Sequence, residues 1–226
     1  MAFRRTHSPA AASSGMLRAV NVTIVDHPLV AERLTRLRRT DTKRAGFRRN
    51  LSELSTYLVY EALRSQPTTP VHIDTPLAPF AGVQITDPPL VVPVLRAGLG
   101  MLDATLQLLP NARVGFVGAK RNEETLLPDA YVNTVPEDLD GHPVLVLDPM
   151  LATGGSLIHT CNLLVDSNAG AITVACVLAA PEGIEAFEAK GFDAEIFTAA
   201  VDSHLNEVAF IVPGLGDAGD RQFGLA

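Results

Sequence analysis

The chain of 226 residues contains no tryptophan, few aromatic residues (5%) and only two cysteines. Cys161 and Cys176 do not have C-x-x-C spacing, so they are predicted to be buried, reduced thiols of a cytosolic protein. The six histidines are dispersed and form no Cys/His cluster, which argues against a zinc site. G-x-S-x-G is absent, and no apolar run approaches the roughly 20 residues that span a bilayer. These absences disfavour serine hydrolases, zinc proteins and helical membrane proteins.

Positive charge is scarce over most of the chain. Residues 51–226 contain seven Lys or Arg against twenty-two Asp or Glu, a net charge of −15. Residues 1–50 contain eleven against three, a net charge of +8. Because duplex binding depends on neutralising phosphates with Lys and Arg, the acidic body is unsuited to a general nucleic-acid groove. The basic first fifth leaves a local anion or RNA contact open.

The remaining composition is that of a globular protein. Hydrophobic residues make up 47% and charged residues 19%, enough for a buried core in one α/β domain or two small ones. Residues 1–15 are rich in Ala and Ser and lack the apolar segment of a secretory signal. They are predicted to be a disordered leader, with Met16 as a hypothetical alternative start.

From residue 20 the hydrophobic pattern alternates between strand and helix. Strands are predicted at Val20–Val25, Leu90–Leu95, Arg113–Ala119, Pro143–Leu147, Ala171–Ala179 and Ala194–Phe197. Helices are predicted at about 29–39, 42–64, 99–110, 154–166 and 182–190. Residues 67–89 hold six prolines and two runs of β-formers, which indicates an extended hairpin arm. Strands that are apolar on both faces and alternate with helices predict a parallel sheet covered on both sides.

The strongest local motif is V-L-V-L-D-P-M-L-A-T-G-G-S, from Val144 to Ser156. An apolar strand ends at Asp148, and a turn of small residues opens a helix. Such a turn directs backbone N–H groups to one place, where the helix N-terminus adds positive charge, and it can therefore hold a phosphate. Neither a Walker A loop nor a dinucleotide fingerprint fits these glycines. A helix start capped by Ser or Thr, with no ligand, is the alternative.

Three further segments follow predicted strands. Arg96 lies between an apolar strand and the turn Ala97–Gly100, where a guanidinium suits bidentate phosphate contact; a surface salt bridge is the alternative. Residues 120–136 have few apolar anchors and are predicted to form a flap that excludes water. Residues 211–220 (I-V-P-G-L-G-D-A-G-D) offer mostly backbone groups, either to a ligand or as a glycine-rich tail loop.

Taken in order, L-R-A-G-L-G-M, R-N-E-E-T, D-P-M-L-A-T-G-G-S and P-G-L-G-D-A-G-D resemble the motifs of the uracil phosphoribosyltransferases. These enzymes are a branch of the type I phosphoribosyltransferase family. The resemblance covers about Met16 to the C-terminus. It departs from the wider superfamily at Asp148-Pro149, where an acidic pair is usual, and at Ala152, where an acidic residue usually precedes Thr-Gly. Both departures are expected in the uracil branch, and they remove any carboxylate base at residue 152.

The resemblance implies an α/β fold in which helices flank a parallel sheet, with a β-hairpin arm and a small C-terminal hood. Residues 16–226 are then one domain, with the arm at about 68–89, the flap at about 120–136 and the hood at about 199–226. The implied reaction transfers the 5-phosphoribosyl group of 5-phospho-α-D-ribose 1-diphosphate to N1 of uracil. Its products are UMP and diphosphate, a step of pyrimidine salvage.

The resemblance also assigns residues. Arg121 and Asp217 are the expected catalytic residues. The sugar diphosphate is expected to contact Arg96, Arg121, Asp148, Pro149, Met150, Leu151, Ala152, Thr153, Gly154, Gly155, Ser156 and Asp217. Uracil is expected to contact Ile211, Gly216, Asp217 and Ala218. Mg²⁺ is the expected cofactor, held through diphosphate and water, with no direct side-chain ligand.

A cytoplasmic homodimer or higher oligomer is the expected assembly, and the sequence leaves the subunit number and a nucleotide effector such as GTP open. A regulatory RNA-binding protein on the same fold is the alternative function. A purine substrate is a third possibility, but the G-L-G-D-A loop offers no aromatic residue to stack on a base.

Overall fold

The computed structural model describes residues 20–121 and 128–224, without the side chains of residues 119–121 and 128–130. The predicted leader (residues 1–15) therefore lies outside the described residues. The helices are α1 (Pro28–Arg38), α2 (Arg44–Ala62), α3 (Leu99–Leu108), α4 (Gly155–Asp166), α5 (Pro181–Glu188) and α6 (Ala218–Phe223). The strands are β1 (Asn21–Ile24), β2 (Thr68–Asp74), β3 (Pro79–Ile85), β4 (Leu90–Leu95), β5 (Val117–Arg121), β6 (Pro128–Asn133), β7 (Val144–Leu147), β8 (Met150–Leu151), β9 (Ile172–Ala179), β10 (Ala194–Val201), β11 (His204–Leu205) and β12 (Ile211–Val212). Within the described residues, no helix is long and apolar enough to cross a membrane.

The main sheet has the strand order β1-β10-β9-β7-β4-β5-β6, and β8 extends the pairing of β9. All of its pairings are parallel except that of β5 with β6. The predicted α/β fold with a mostly parallel sheet is therefore confirmed. Because parallel strands end at one edge, the loops after β4, β5, β7 and β10 emerge together there.

Helices cover both faces of the sheet, as the doubly apolar strands require. On one face, α1, α2 and α3 contribute Leu37, Phe47 and Met101 to a core shared with alternate residues of the strands. On the other face, α4 and α5 contribute Leu157 and Phe187. The second helix buries Leu51, Leu54, Leu58 and Val59, the residues whose three- and four-residue spacing predicts it.

The predicted hairpin arm is present as the antiparallel pair β2–β3, in register from Thr68↔Ile85 to Asp74↔Pro79. The hairpin extends away from the body of the protein and makes few contacts with the other helices and strands. Leu77 is 96% exposed and Val83 is 71% exposed, and Ile73 and Phe80 are also exposed. An exposed group of apolar side chains on one hairpin is a feature of surfaces that bind a partner.

Several strands differ from the sequence-based expectation. The predicted strand Arg113–Ala119 is observed at Val117–Arg121, and the two-residue strands β8, β11 and β12 were not predicted. The predicted strand Ala194–Phe197 continues to Val201, because Thr198, Ala199 and Ala200 stay paired with β9 or packed in the core. The antiparallel strand β6 was not predicted, since its sequence P-D-A-Y-V-N shows no strong alternation of apolar and polar residues. It lies within the segment predicted to be a flap (residues 120–136) and pairs with β5, so much of that segment forms a two-stranded extension of the sheet. Residues 122–127 lie outside the described residues.

Candidate active site

The carboxyl edge of the sheet gathers several polar residues, most of which the sequence singles out. Arg96 follows β4, Asp148 follows β7 and Asp202 follows β10. Arg121 is the last residue of β5, which runs parallel to β4, so its backbone reaches the same edge. The side chain of Arg121 lies outside the described residues. The topology of the sheet thus brings together residues that are more than a hundred positions apart in the chain, such as Arg96 and Asp202.

The loop between β7 and α4 is fixed by the neighbouring strand β9. The Pro149 carbonyl accepts hydrogen bonds from the N–H groups of Val177 (3.1 Å) and Leu178 (3.0 Å). Gly154 then takes a left-handed conformation (φ +79°) immediately before α4. Glycine adopts this conformation without the strain of a side chain, which explains the residue at this position.

Several N–H groups of this loop remain available for a ligand. Within the described residues, those of Thr153, Gly154 and Ser156 donate to no protein acceptor, and the side chains of Thr153 and Ser156 are exposed. They lie at the N-terminus of a twelve-residue helix, where the helix dipole favours negative charge. The geometry is that of an anion site, with donors that the protein itself does not satisfy.

Helix α5 supports this loop from behind, which the sequence analysis missed. A Cβ atom on Gly183 would lie 2.3 Å from the Ala152 carbonyl oxygen and 2.8 Å from that of Leu151. Only glycine permits this approach of helix to loop. The glycine at the third position of a short helix is the one signal that the sequence offered.

Asp148 is buried (8% exposed) at the end of β7. Burial raises its pKa to about 7, although a hydrogen bond from the Met150 N–H group acts in the opposite direction. The carboxyl group therefore keeps its proton to a higher pH than an exposed carboxyl group does before a ligand binds. Such a group can accept hydrogen bonds from hydroxyl donors that replace its lost water.

This burial predicts a dependence of stability on pH. Because the folded protein binds more protons than the unfolded chain between pH about 4 and 7, Asp148 makes stability fall as pH rises through that range. Asp148→Asn removes the titration. The unfolding free energy of the variant relative to wild type should therefore grow by up to about 4 kcal/mol between pH 4 and 8 in denaturant titrations. Asp138→Asn, at an exposed carboxylate, serves as the control and should show no such growth. A constant difference for Asp148→Asn would contradict the burial argument.

The Arg96 loop lies directly against the Asp148 strand. A Cβ atom on Gly98 would lie 2.4 Å from the Leu147 carbonyl oxygen, so the two loops are in backbone contact. Arg96 is exposed, and its guanidinium lies 3.8 Å from the Asp220 carboxylate. A long, exposed ion pair of this kind contributes little stability, and the guanidinium can turn to another anion.

The C-terminal segment closes the site from the side of α6. Asp217 caps this helix by accepting a hydrogen bond from the Asp220 N–H group (2.8 Å). The buried Gln222 side chain donates to the Ala97 carbonyl (3.0 Å), joining α6 to the Arg96 loop. The N–H groups of Gly216 and Ala218 donate to no acceptor within the described residues. Ile211 is buried in the core, so it can offer a ligand only backbone groups.

Arg38 and Asp202 were not singled out by the sequence analysis. Arg38 ends α1, and both of its terminal nitrogens donate to the Asp202 carboxylate, at 2.7 Å and 2.6 Å. Burial acts to raise the pKa of Asp202, but the hydrogen bonds from Arg38 and the Gly214 N–H group lower it overall. Asp202 therefore stays ionised. An acidic residue directly after an apolar strand was a usable signal, but ending the predicted strand at Phe197 concealed it.

Two further observations concern a metal cluster and a cavity, and neither defines the candidate site. No group of three or more His, Cys, Asp or Glu side chains could hold a metal ion within the described residues. A cavity of about 490 Å³ lies at the opposite edge of the sheet, where Val144, Ile172 and Ala194 begin their strands. The candidate site is instead the region between the Asp148, Arg96 and Asp217 loops, which are joined by the contacts described above and which we call the groove.

Comparison with known proteins agrees with this arrangement. The model of the family described as uracil phosphoribosyltransferase matches residues 24–225. A uracil phosphoribosyltransferase of Streptomyces griseus is 52% identical over 210 residues, which cover 92% of this chain and 100% of that protein. One from a Nocardioides species is 54% identical over 207 residues, covering 89% and 97%.

A solved structure extends the similarity to three dimensions. The AQ2163 protein from Aquifex aeolicus is 40% identical and superposes with a TM-score of 0.84, covering 91% of this chain and 99% of that one. The family match spans the sheet, the glycine-rich loops of the site and the C-terminal segment. The chain belongs to the uracil phosphoribosyltransferase family.

Proposed function

We propose that this protein transfers the 5-phosphoribosyl group of 5-phospho-α-D-ribose 1-diphosphate to N1 of uracil, giving UMP and diphosphate. The observation that carries the proposal is the pair of glycine-rich loops at one sheet edge, each with unsatisfied N–H donors. One follows β7 and leads into α4, and the other precedes α6. Because the chain belongs to the uracil phosphoribosyltransferase family, we infer that these loops bind uracil and 5-phosphoribosyl 1-diphosphate.

The loop after β7 is proposed to bind the sugar phosphate. The N–H groups and hydroxyls of Ala152–Ser156 hold the 5′-phosphate, and ionised Asp148 accepts hydrogen bonds from the ribose hydroxyls. Pro149, Met150 and Leu151 set the path of the backbone between them, since Pro149 and Leu151 are bonded to β9. The arrangement places one anion at a helix N-terminus and the ribose beside a buried carboxylate.

The loop before α6 is proposed to bind uracil through Ile211, Gly216, Asp217 and Ala218. The O2 and O4 atoms of uracil accept hydrogen bonds, which suits the unsatisfied N–H groups of Gly216 and Ala218. N3–H of uracil donates and requires a carbonyl. Cytosine carries an acceptor at N3 and an amino group at position 4, so it would leave buried groups unpaired. Such a mismatch discriminates strongly between otherwise similar bases.

In the proposed reaction, the bond from uracil N1 to C1′ forms, the bond from C1′ to the diphosphate oxygen breaks, and the N1 proton is released. Negative charge grows on the departing diphosphate. Arg96 and Arg121 oppose that charge, and Asp217 orients the sugar diphosphate. Binding both substrates at one edge also converts a bimolecular reaction into a unimolecular one.

We also propose that the reaction uses Mg²⁺. The residues present fit an ion held mainly by the substrate, because the described part of the chain offers Asp148 and Asp217 at the groove but no cage of three ligands. Mg²⁺ binds through phosphate oxygens, water and one or two carboxylates. When bound, it supplies charge neutralisation of the diphosphate. Asp217 would contact it through water.

A base-competition assay tests the function. Diphosphate release from 5-phosphoribosyl 1-diphosphate should depend on uracil, with cytosine and hypoxanthine at least about 10²-fold less effective because of unpaired groups. Equal rates with hypoxanthine would support a purine substrate. If none of the three bases supported diphosphate release, the proposal would be contradicted.

Replacing Arg121 with alanine tests the diphosphate side. The variant should keep its fold, because β5 ends at this residue, and should show a higher KM for the sugar diphosphate and a lower kcat. Removing one charge-stabilising donor typically lowers kcat by about 10²-fold. Steady-state kinetics with each substrate varied in turn measure both effects, and unchanged constants would refute the assignment. Arg113→Ala, at an arginine on the opposite edge, is the control.

The hairpin β2–β3 supports the proposal of a homodimer or higher oligomer. Its exposed Leu77, Phe80 and Val83 are proposed to contact another copy of the chain. Sedimentation of wild type and a Leu77→Ser, Phe80→Ser double variant tests this. The variant should sediment as a smaller species, and an unchanged assembly would exclude the hairpin from the interface.

The basic N-terminal fifth is partly neutralised within the fold. On α1, Arg33 pairs with Glu32 and Glu53, and Arg38 pairs with Asp202. The comparisons give no support to an RNA-binding function.

GTP as an effector that binds at the remaining basic residues stays a proposal. Initial rates measured with and without GTP test it. A cytoplasmic location is also proposed, on the basis of the two buried free cysteines.

A further inference from the structure

The ion pair between Arg38 and Asp202 joins two distant parts of the chain beneath the C-terminal loop. Arg38 lies at the end of α1 and Asp202 directly after β10. The pair is bidentate, with Nη1 to Oδ2 at 2.7 Å and Nη2 to Oδ1 at 2.6 Å. The Asp202 side chain is only 6% exposed and that of Arg38 is 25% exposed. A paired charge this deeply buried is held in one geometry.

Both members of the pair also bind Gly214. The Gly214 carbonyl accepts from Arg38 Nη1 at 2.8 Å, and the Gly214 N–H group donates to Asp202 Oδ2 at 2.8 Å. One residue of the loop is therefore held at both of its backbone polar groups by one ion pair. Gly214 has φ +64°, and a Cβ atom there would lie 2.0 Å from the Ile211 carbonyl oxygen. The loop is folded tightly against itself at this point.

Gly214 lies between the groups proposed to bind uracil. Ile211 precedes it by three residues, and Gly216 and Ala218 follow within four. The Leu215 carbonyl is held in turn by Arg221 (2.8 Å), and the Val212 carbonyl by the Ser203 hydroxyl (2.9 Å). The loop is therefore anchored at several carbonyls, and Gly214 is joined to Gly216 through Leu215 alone, so a movement of Gly214 strains the Leu215 anchor and displaces the N–H donor of Gly216. Misplacement by about 1 Å is enough to weaken a positioned contact strongly.

We propose that Arg38 and Asp202 form a positioning pair that sets the affinity for uracil, an inference that rests on the proposed function. Neither side chain is assigned a contact with the base. The pair acts through Gly214, by holding the uracil loop in the conformation in which its N–H groups face the groove. The phosphate loop after β7 is held by β9 and α5 instead, and of the residues assigned to uracil only Asp217 is also assigned to the sugar diphosphate. The effect is therefore expected to be larger for uracil than for the sugar diphosphate.

Asp202→Asn tests the pair. The amide keeps the size of the carboxylate but removes its charge and replaces one acceptor oxygen with an NH2 donor. Because the carboxylate uses both oxygens to accept from Arg38, the amide cannot form the bidentate pair, and one of its two ends places a donor against a donor. We expect the KM for uracil to rise at least about tenfold, since a tenfold change corresponds to the loss of one such contact, while the KM for 5-phosphoribosyl 1-diphosphate rises by a clearly smaller factor. Arg38→Lys keeps the charge without the fork and should give a smaller rise in the uracil KM.

The control is Glu53→Gln, which disrupts the other ion pair that anchors α1, between Arg33 and Glu53. Neither KM should change for this variant. An equal rise in both KM values for Asp202→Asn and Arg38→Lys, or no rise in either, would overturn the inference. Loss of folded protein lowers kcat without separating the two KM values, and Arg38→Lys covers the case in which Asp202→Asn does not fold. If wild type itself fails to convert uracil, it is the proposed function that is wrong, and this result is distinct from unchanged KM values in the variants of an active enzyme.

Discussion

Asp217→Asn is expected to lower kcat by about 10²- to 10³-fold, the range typical of removing one preorganised electrostatic group. The substitution isolates the charge, because asparagine caps helices about as well as aspartate and can still accept from the Asp220 N–H group. Helix α6 should therefore begin at the same residue. What is lost is the negative charge proposed to orient the sugar diphosphate and its metal-bound water.

The measurement is uracil-dependent diphosphate release, together with a thermal unfolding curve. The melting temperature should stay close to that of wild type, because the cap is conserved. Asp138→Asn is the matched control, since Asp138 also accepts a backbone N–H bond at 2.8 Å but lies on a loop at the other edge of the sheet. Turnover of Asp217→Asn at the wild-type rate would show that the C-terminal segment is not part of the active site.

Gly183→Ala is expected to raise the KM for 5-phosphoribosyl 1-diphosphate by about 10- to 100-fold, because displacing a positioned loop by about 1 Å can weaken catalysis by that much. The added methyl group would lie 2.3 Å from the Ala152 carbonyl oxygen, so the phosphate loop or α5 has to move. Overpacking of this kind lowers the unfolding free energy by about 1–3 kcal/mol. The KM for uracil should change little, since α6 and its loop are not in this contact.

The intrinsic helix propensities of alanine and glycine predict the opposite effect on stability, so the outcome distinguishes tertiary contact from local propensity. Alanine in a helix is normally more favourable than glycine by about 0.5–1 kcal/mol. Gly46, also the third residue of its helix, provides the control, because a Cβ atom there meets only Thr42 Cγ2 at 3.5 Å. Gly46→Ala should stabilise the protein and leave both KM values unchanged. If Gly183→Ala behaved like Gly46→Ala, the close contact between α5 and the phosphate loop would be disproved.

Much of the candidate site follows from the sequence because its motifs are contiguous. An apolar strand, Asp148 and a turn of small residues fix their own local geometry, since the strand, the left-handed glycine and the helix start are neighbours in the chain. The same holds for the alternating strands and helices, whose periodicity predicts a parallel sheet and so a common edge for the loops. The hairpin arm was predicted from its prolines and β-formers, which need no distant partner.

Other features depend on contacts between distant residues, and local pattern carries no information about them. Arg38 and Asp202 are 164 residues apart, and neither belongs to a motif that the sequence singles out. The approach of Gly183 to Ala152 depends on how α5 packs against the loop, and β6 exists because β5 offers it an edge.

The amino-acid sequence by itself determined the fold class, the phosphate-binding turn and the family resemblance of this protein. Each of these rests on residues adjacent in the chain, whose backbone conformations are set by local sterics and hydrogen bonds. The tertiary structure alone decided which charges are paired, which glycines touch a neighbouring loop and how the C-terminal segment is anchored. Those outcomes depend on the packing of whole helices against the sheet, and the distance between two side chains there is unrelated to their separation in sequence.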